Sequence, residues 1–214
     1  MPKPILLRRL VLFLFLALSL QASAGIYDDI LAAANKDDTG QVIDLLKRGM
    51  DVNTSDPSGN TLLIIAARNG NTSLLDFLLA NRCNILKRNG YGDSAIMIAA
   101  LRGRVGIVQR LLAAGADIHN DGWNALHYSA YNGNAEIVRL LVKNNTDLDA
   151  AAPNGQTALM LAASTGHIDV VKIFVEADAD IDVEDYEGRT ALMLAQRAGH
   201  TDVVEYLESE GADE

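Results

Sequence analysis

The sequence predicts an all-α fold: a solenoid of about six stacked helix–turn–helix units joined by short β-hairpin loops. Three observations carry the prediction. A helix-capping residue ahead of an apolar stretch recurs at Thr61, Ser94, Asn124, Thr157 and Thr190, at intervals of 33, 30, 33 and 33 residues. Each copy holds two short helical stripes of apolar residues with a glycine-marked turn between them. Of the 214 residues, 49% are apolar and only 5% aromatic, which suits a long, thin core of Leu, Ala, Ile and Val. One helix–turn–helix cannot bury both of its faces alone. Stacked copies can, so the pattern must repeat.

The copy from Asn154 to Asp182 shows each element. Gly155 stands where a tight turn needs positive φ. Thr157 is placed to cap a helix, its hydroxyl accepting from N–H groups of the first turn. Leu159, Leu161 and Ala162 follow at helical spacing, and the small pair Ala162-Ala163 lets two helices approach closely. Gly166 ends this helix and turns the chain. Val170, Val171, Phe174 and Val175 form the buried stripe of a second helix. Ala179-Asp180-Ile181-Asp182 then leads into the next hairpin.

Units are expected at about 26–55, 56–88, 89–120, 121–151, 152–184 and 185–214. The first is degenerate: Ile30, Leu31 and Ala34 make one stripe, and Val42, Ile43, Leu45 and Leu46 the next. Asp28, Asp29, Lys36, Asp37, Asp38 and Asp44 supply the polar outer face that a terminal unit needs. In the last unit Val203, Val204 and Leu207 face inward, while Asp202, Glu205, Glu208 and Glu210 face outward. The 30-residue interval places a three-residue shortening in the hairpin His119-Asn120-Asp121-Gly122-Trp123. It reads either as a dent in a comb of hairpins or as neutral drift in loop length, which loops tolerate.

Residues 1–24 differ from the rest. Lys3, Arg8 and Arg9 precede an apolar run from Leu10 to Leu20, and Ala22 and Ala24 occupy the small-residue positions of a cleavage site. A secretory leader is expected, cut between Ala24 and Gly25. The run is short against the roughly 20 residues of a spanning helix, so cleavage is favoured over anchoring, and no membrane attachment is expected afterwards. No lipidation Cys follows the run. Periplasmic location is expected, with secretion as the alternative. Without the leader the chain has 15 basic and 28 acidic residues, a net charge of −13. That disfavours nucleic acid and anionic membrane as partners. It admits a basic protein partner, or serves solubility alone.

The repeats resemble those of the ankyrin family, whose period is 33 and whose signature is Thr-Pro-Leu-His-x-Ala. The matching residues are Thr61-Leu62-Leu63-Ile64, Ser94-Ala95-Ile96-Met97, Asn124-Ala125-Leu126-His127, Thr157-Ala158-Leu159-Met160 and Thr190-Ala191-Leu192-Met193. The family's Pro is absent from all five, and its His survives once, as His127. Its later Gly-Ala-Asp is kept at Gly115-Ala116-Asp117 and Gly211-Ala212-Asp213. It is altered at Gly49-Met50-Asp51, Arg82-Cys83-Asn84, Asn145-Thr146-Asp147 and Asp178-Ala179-Asp180.

No catalytic constellation is present: no Gly-rich phosphate loop, no Cys-x-x-Cys, no His-Glu-x-x-His and no Gly-x-Ser-x-Gly. The chain is therefore read as a non-enzyme without cofactor or metal. His167 and His200 fall at the family's Gly-His position, and His127 at a position where the imidazole bonds to nearby backbone. His119, Asp121 and His127 lack a standard ligand spacing. Cys83 is the only Cys, so no internal disulfide is possible. It takes a packed position and is expected to be inert.

By resemblance, contact positions lie just before the capping residue and just before the inter-helix glycine: Asn60, Arg68 and Asn69; Asp93, Leu101 and Arg102; Trp123, Tyr131 and Asn132; Gln156, Ser164 and Thr165; Arg189 and Arg197. Tyr91 joins them from a hairpin. Large aromatics and Arg dominate binding energy at protein interfaces. The candidate protein-binding residues are therefore Tyr91, Leu101, Arg102, Trp123, Tyr131, Asn132 and Arg68, centred on units three and four. The resemblance implies an exported protein-binding scaffold, expected to be monomeric. Periplasmic ankyrin proteins similar to this chain are linked to catalase-dependent peroxide defence. The alternatives are an immunity protein that neutralises a toxin, a role in which ankyrin-like arrays occur, and a secreted effector that binds a host protein.

Overall fold

The computed structural model describes residues 25–119 and 122–212. Residues 1–24, where a leader is expected, and Asn120 and Asp121 lie outside the described residues. Helices follow one another in pairs: α1 (25–35) and α2 (Thr39–Lys47), α3 (Leu62–Asn69) and α4 (Thr72–Ala80), α5 (Ala95–Leu101) and α6 (Val105–Ala113). Then come α7 (Ala125–Tyr131) and α8 (Ala135–Val142), α9 (Ala158–Ser164) and α10 (Ile168–Glu176), α11 (Ala191–Ala198) and α12 (Thr201–Ser209). From α3 onward each odd-numbered helix packs on the next odd one, and each even-numbered helix packs on the next even one. The result is an inner and an outer layer with one continuous apolar core between them.

Four of the inner helices, α3, α7, α9 and α11, start in the same way. Thr61, Asn124, Thr157 and Thr190 accept through their side-chain oxygens from the N–H groups of Ile64, His127, Met160 and Met193 at 3.0–3.3 Å. A cap of this kind is worth about 1 kcal/mol. In α5 and α9 the third helical residue returns the bond: the N–H groups of Ser94 and Thr157 donate to the sulfurs of Met97 and Met160 at 3.5 Å, while in α7 the third residue is His127, whose Nδ1 lies 2.8 Å from the Asn124 side-chain oxygen. Methionine sulfur, a weak acceptor, thus stands in for the family's imidazole. Ser94 departs from expectation, since its hydroxyl is buried without a hydrogen-bond partner.

The hairpins are tight turns rather than strand pairs. Among the described residues the only β pairing is an isolated antiparallel bridge between Ser55 and Thr61. Four fingers close identically: the N–H of Asp56, Asn89, Ala152 or Asp185 donates to the carbonyl four residues on, at 2.8–3.0 Å. Fingers also touch their neighbours, with Gly90 N–H on the Ser58 carbonyl at 2.8 Å and Tyr186 N–H on that of Asn154 at 3.4 Å. Residue numbers rise by 33 from Asp56 to Asn89 and from Ala152 to Asp185, so these are adjacent pairs. The shortened connection lies between the two pairs.

The expected stripes need small corrections. In α10 it is Ile173, not Val175, that joins Val170, Val171 and Phe174 in the core. Leu31, Ile43, Leu46 and Val204 are half-buried, because they lie on the flank of their helices rather than on the line facing the next layer.

Units are joined by a recurring contact. The residue that opens each outer helix lies against the glycine that closes the inner helix of the unit before. A Cβ on Gly133 or Gly166 would sit 2.6 or 2.5 Å from Nδ1 of His167 or His200. The same rings bond backward through Nε2, to the carbonyls of Tyr131 (3.1 Å) and Ser164 (3.2 Å). Asn134 does likewise over Gly103, its amide donating to the Ala100 carbonyl at 3.1 Å. Gly199, in the last helix pair, has the same backbone conformation (φ +80°) but nothing within 4 Å of a would-be Cβ. The altered Gly-Ala-Asp segments keep their backbone: Arg82, Asn145 and Asp178 hold φ near +60°, as Gly115 and Gly211 hold +80° and +93°.

Two outcomes follow. Gly133→Ala and Gly166→Ala should each lower unfolding free energy by about 2–4 kcal/mol, combining left-handed strain with overpacking, whereas Gly199→Ala should cost only about 1 kcal/mol. Equal losses at all three in denaturant titrations would refute the steric account. Conversely, Arg82→Gly and Asp178→Gly should each stabilise by up to about 1 kcal/mol, and Asn145→Gly by less, because Asn tolerates the left-handed region better than Arg.

A candidate protein-binding face on the inner helices

The inner helices bury most of their surface, and the seventh residue after the cap turns outward, while the fourth is buried in three of five units and partly open in α5 and α7. In α7 both positions carry tyrosine, the half-buried Tyr128 and the exposed Tyr131. Trp123, one residue before the cap, lays its ring along the same side: its centroid is 5.1 Å from that of Tyr128, 5.7 Å from that of Tyr131 in an edge-on arrangement, and 6.1 Å from the ring of His127. Aromatic pairs at these separations add about 0.5–1.5 kcal/mol beyond burial. Tyr131 remains 47% exposed and Trp123 half-exposed. The stripe follows the shortened connection directly.

Tyr128 was not among the residues expected from sequence. Its hydroxyl donates to Asp93 Oδ1 at 2.9 Å, tying unit four to unit three. Burial, followed by the Asp93 carboxylate, pushes its pKa up to about 12. The signal was available, because the same register position carries Ile65, Ile98, Leu161 and Leu194 in the other units.

The other expected residues fall into two groups. Asn132 donates to the Leu101 carbonyl at 3.4 Å and to that of Tyr128 at 3.1 Å, so it and Leu101 adjoin the stripe. Arg68 and Arg102 lie together instead in a shallow depression of ≈ 380 Å³, lined also by Asn35, Asp37, Asn69 and Arg104. Tyr91 stands at a finger tip, 80% exposed. Its N–H is held by Asn89 Oδ1 at 2.9 Å.

His127 lies fully buried beneath the stripe. Asn124 Oδ1 accepts from the N–H groups of Leu126 and His127 and lies 2.8 Å from His127 Nδ1. The two N–H donors identify that atom as oxygen, so Nδ1 carries the hydrogen. Burial pulls the His127 pKa below its ordinary value, opposed in part by the backbone of Gln156 and Ala150. Cys83 is half-buried, and burial raises its thiol pKa, which disfavours the reactive thiolate. No group of three or more His, Cys, Asp or Glu with metal-binding geometry occurs among the described residues. Asp121 lies outside them. No described helix is long and apolar enough to cross a membrane.

Comparison with known proteins agrees with this architecture. A family model for ankyrin repeats, in three copies, matches residues 30–121, 83–152, 103–185 and 126–214. The chain belongs to the ankyrin-repeat family, and is thus a protein–protein interaction scaffold. It is 39% identical over 84 residues to the Notch-regulated ankyrin repeat-containing protein of Xenopus laevis, covering 36% of this chain and 74% of that one. It is 33% identical over 124 residues to the nuclear factor NF-kappa-B p105 subunit of Gallus gallus, covering 54% and 13%. It is also 33% identical over 104 residues to a homologue of transient receptor potential cation channel subfamily A member 1 from Caenorhabditis elegans, covering 48% and 9%. The chain thus spans only about a tenth of the length of these last two.

The buried imidazole carries a pH signature. With its folded pKa depressed, the unfolded chain binds a proton that the native state refuses. This contribution is therefore complete above the ordinary value of about 6.5 and is lost as pH falls through and below it. Chemical denaturation between pH 7.5 and 5 should show wild type losing more stability than His127→Met, the residue found at this position in units three, five and six. Parallel curves would remove His127 as the cause.

Proposed function

We propose that this chain is an exported, non-catalytic scaffold whose partner protein seats on the α7 stripe of Trp123, Tyr128 and Tyr131. The observation that carries the reading is the exposure of Tyr131 and Trp123 beside the shortened connection, flanked by Leu101 and Asn132. A rigid aromatic cluster of this kind is the usual energetic centre of an interface. The leader features of residues 1–24 support export, with the periplasm as the destination and secretion as the alternative. Peroxide defence, toxin neutralisation and effector action, the roles implied by resemblance, each require only a bound partner, so all are compatible with this site.

The full chain, carrying a C-terminal tag in its native cell, should capture a partner that the Trp123→Ala/Tyr131→Ala variant loses. The expected weakening is at least about thirtyfold for two hot-spot aromatics. Retention within twofold would place the interface elsewhere. The captured chain should begin at Gly25 and fractionate outside the cytoplasm. An intact N-terminus on cytoplasmic protein would overturn export.

A further inference from the structure

The net charge of the chain is not spread along it. Residues 145–214 hold 16 acidic and 3 basic side chains, whereas residues 25–144 hold twelve of each. The whole excess of −13 therefore belongs to the last two units and their approach. Within the balanced part, three guanidinium groups meet in the depression between the ends of α3 and α5: Arg68, Arg102 and Arg104. Elsewhere Arg88, Arg110 and Arg189 are ion-paired with Asp117, Asp76 and Asp185. Among the described residues these three have no ion-pair partner. The one carboxylate in the depression, on Asp37, already accepts from the amides of Asn69 (2.9 Å) and Asn71 (3.4 Å).

The arginines are also held in place. Arg68 donates to Asn35 Oδ1 at 2.6 Å. The Arg104 guanidinium packs over Gly70 at the C-terminal end of α3, where a Cβ would meet it at 3.1–3.3 Å, and a cation is favoured at a helix C-terminus. Planar guanidinium groups presented in this way match carboxylates in bidentate fashion. Arg68-Asn69, Leu101-Arg102 and Tyr131-Asn132 are the same register positions of three successive inner helices, bridged by the Asn132 to Leu101 hydrogen bond. The basic depression and the aromatic stripe therefore form one continuous row.

We propose that the partner element is an acidic segment with an apolar anchor, its carboxylates in the Arg68–Arg102–Arg104 depression and its anchor on Trp123 and Tyr131. This rests on the protein-binding reading above and reverses the basic partner that net charge alone admits. A basic segment would meet the three arginines. An acidic one is repelled by units five and six, which both confines it to the first four units and orients it with its carboxylates toward α3.

Trp123 is the chain's only Trp, so its emission reports occupancy. Full-length protein should be titrated with a short synthetic peptide alternating Glu and Leu, with the matching Lys and Leu peptide, and with a single-stranded oligonucleotide. The Glu–Leu peptide should shift the emission, bind more tightly than the other two, and weaken as salt rises. Arg102→Ala/Arg104→Ala should weaken it at least about tenfold with unchanged circular dichroism, and Arg102→Glu/Arg104→Glu should transfer preference to the Lys–Leu peptide. Preference of wild type for the Lys–Leu peptide or the oligonucleotide, absence of binding, or equal affinity in the alanine variant would each overturn the proposal. A captured partner that depends on Trp123 and Tyr131 but ignores the arginines would overturn it while leaving the scaffold reading intact.

Discussion

The structure depends on how closely one unit can approach the next. Where an inner helix ends, the chain turns through a left-handed glycine, and the first residue of the following outer helix in the next unit lies directly over it. At Gly133 and Gly166 an imidazole occupies the space that any Cβ would need, and its Nε2 reaches the last carbonyls of the helix behind it. One contact thus does two things: it fixes the spacing between units and satisfies carbonyls that a helix end leaves unpaired. Because it repeats unit after unit, the inner helices are held side by side and present the same register positions in a row. A surface assembled from several short helices, none of which could be stable alone, follows from that repetition.

The candidate site is a local departure from this regularity. Among the described residues four closed fingers form two stacked pairs, and the shortened connection before α7 lies between them. Trp123 precedes α7, and its ring runs down the helix on Tyr128 and Tyr131. The Tyr128 hydroxyl then bonds to Asp93 of the preceding unit. The cluster is consequently rigid on the side facing the protein and open on the other. Such preorganisation lowers the ordering cost of binding. The buried His127 ties the same cluster to the cap of α7, so the stability of this unit and the geometry of its exposed face are linked.

Electrostatics divide the molecule in a way that an overall net charge conceals. Negative charge gathers in units five and six and in their approach, where Asp149 sits near both Asp147 and Asp180; burial is the main cause of its raised pKa, and these like charges add to it. Residues 25–144 are balanced, with arginines lacking an ion-pair partner at the ends of two inner helices. A binding surface that crosses from one region to the other has a built-in direction, which favours specificity more than raw affinity.

Much of this architecture is legible in the amino-acid sequence by itself. The 33-residue period, the capping residues, the inter-helix glycines and the apolar stripes are local or strictly periodic, and local signals need no tertiary information. They determined the solenoid, its helix pairs and the register positions that face outward, including Trp123, Tyr131, Leu101 and Asn132. The division of charge between the two halves is also present in the sequence, and summing over the whole chain hides it. Other features arise only when residues about 30 apart come into contact. The expected stripe in α10 named Val175 where Ile173 is buried, because the neighbouring layer, not the periodicity, chooses between flanking positions. Tyr128 belongs to the site through a bond to Asp93. Arg68, Arg102 and Arg104 share one depression although they come from two units. The glycines at 133 and 166 are required by an imidazole from the next unit, not by backbone conformation alone. Sequence periodicity sets which face of each helix is buried; only the packing distance between units decides which side chains meet across it.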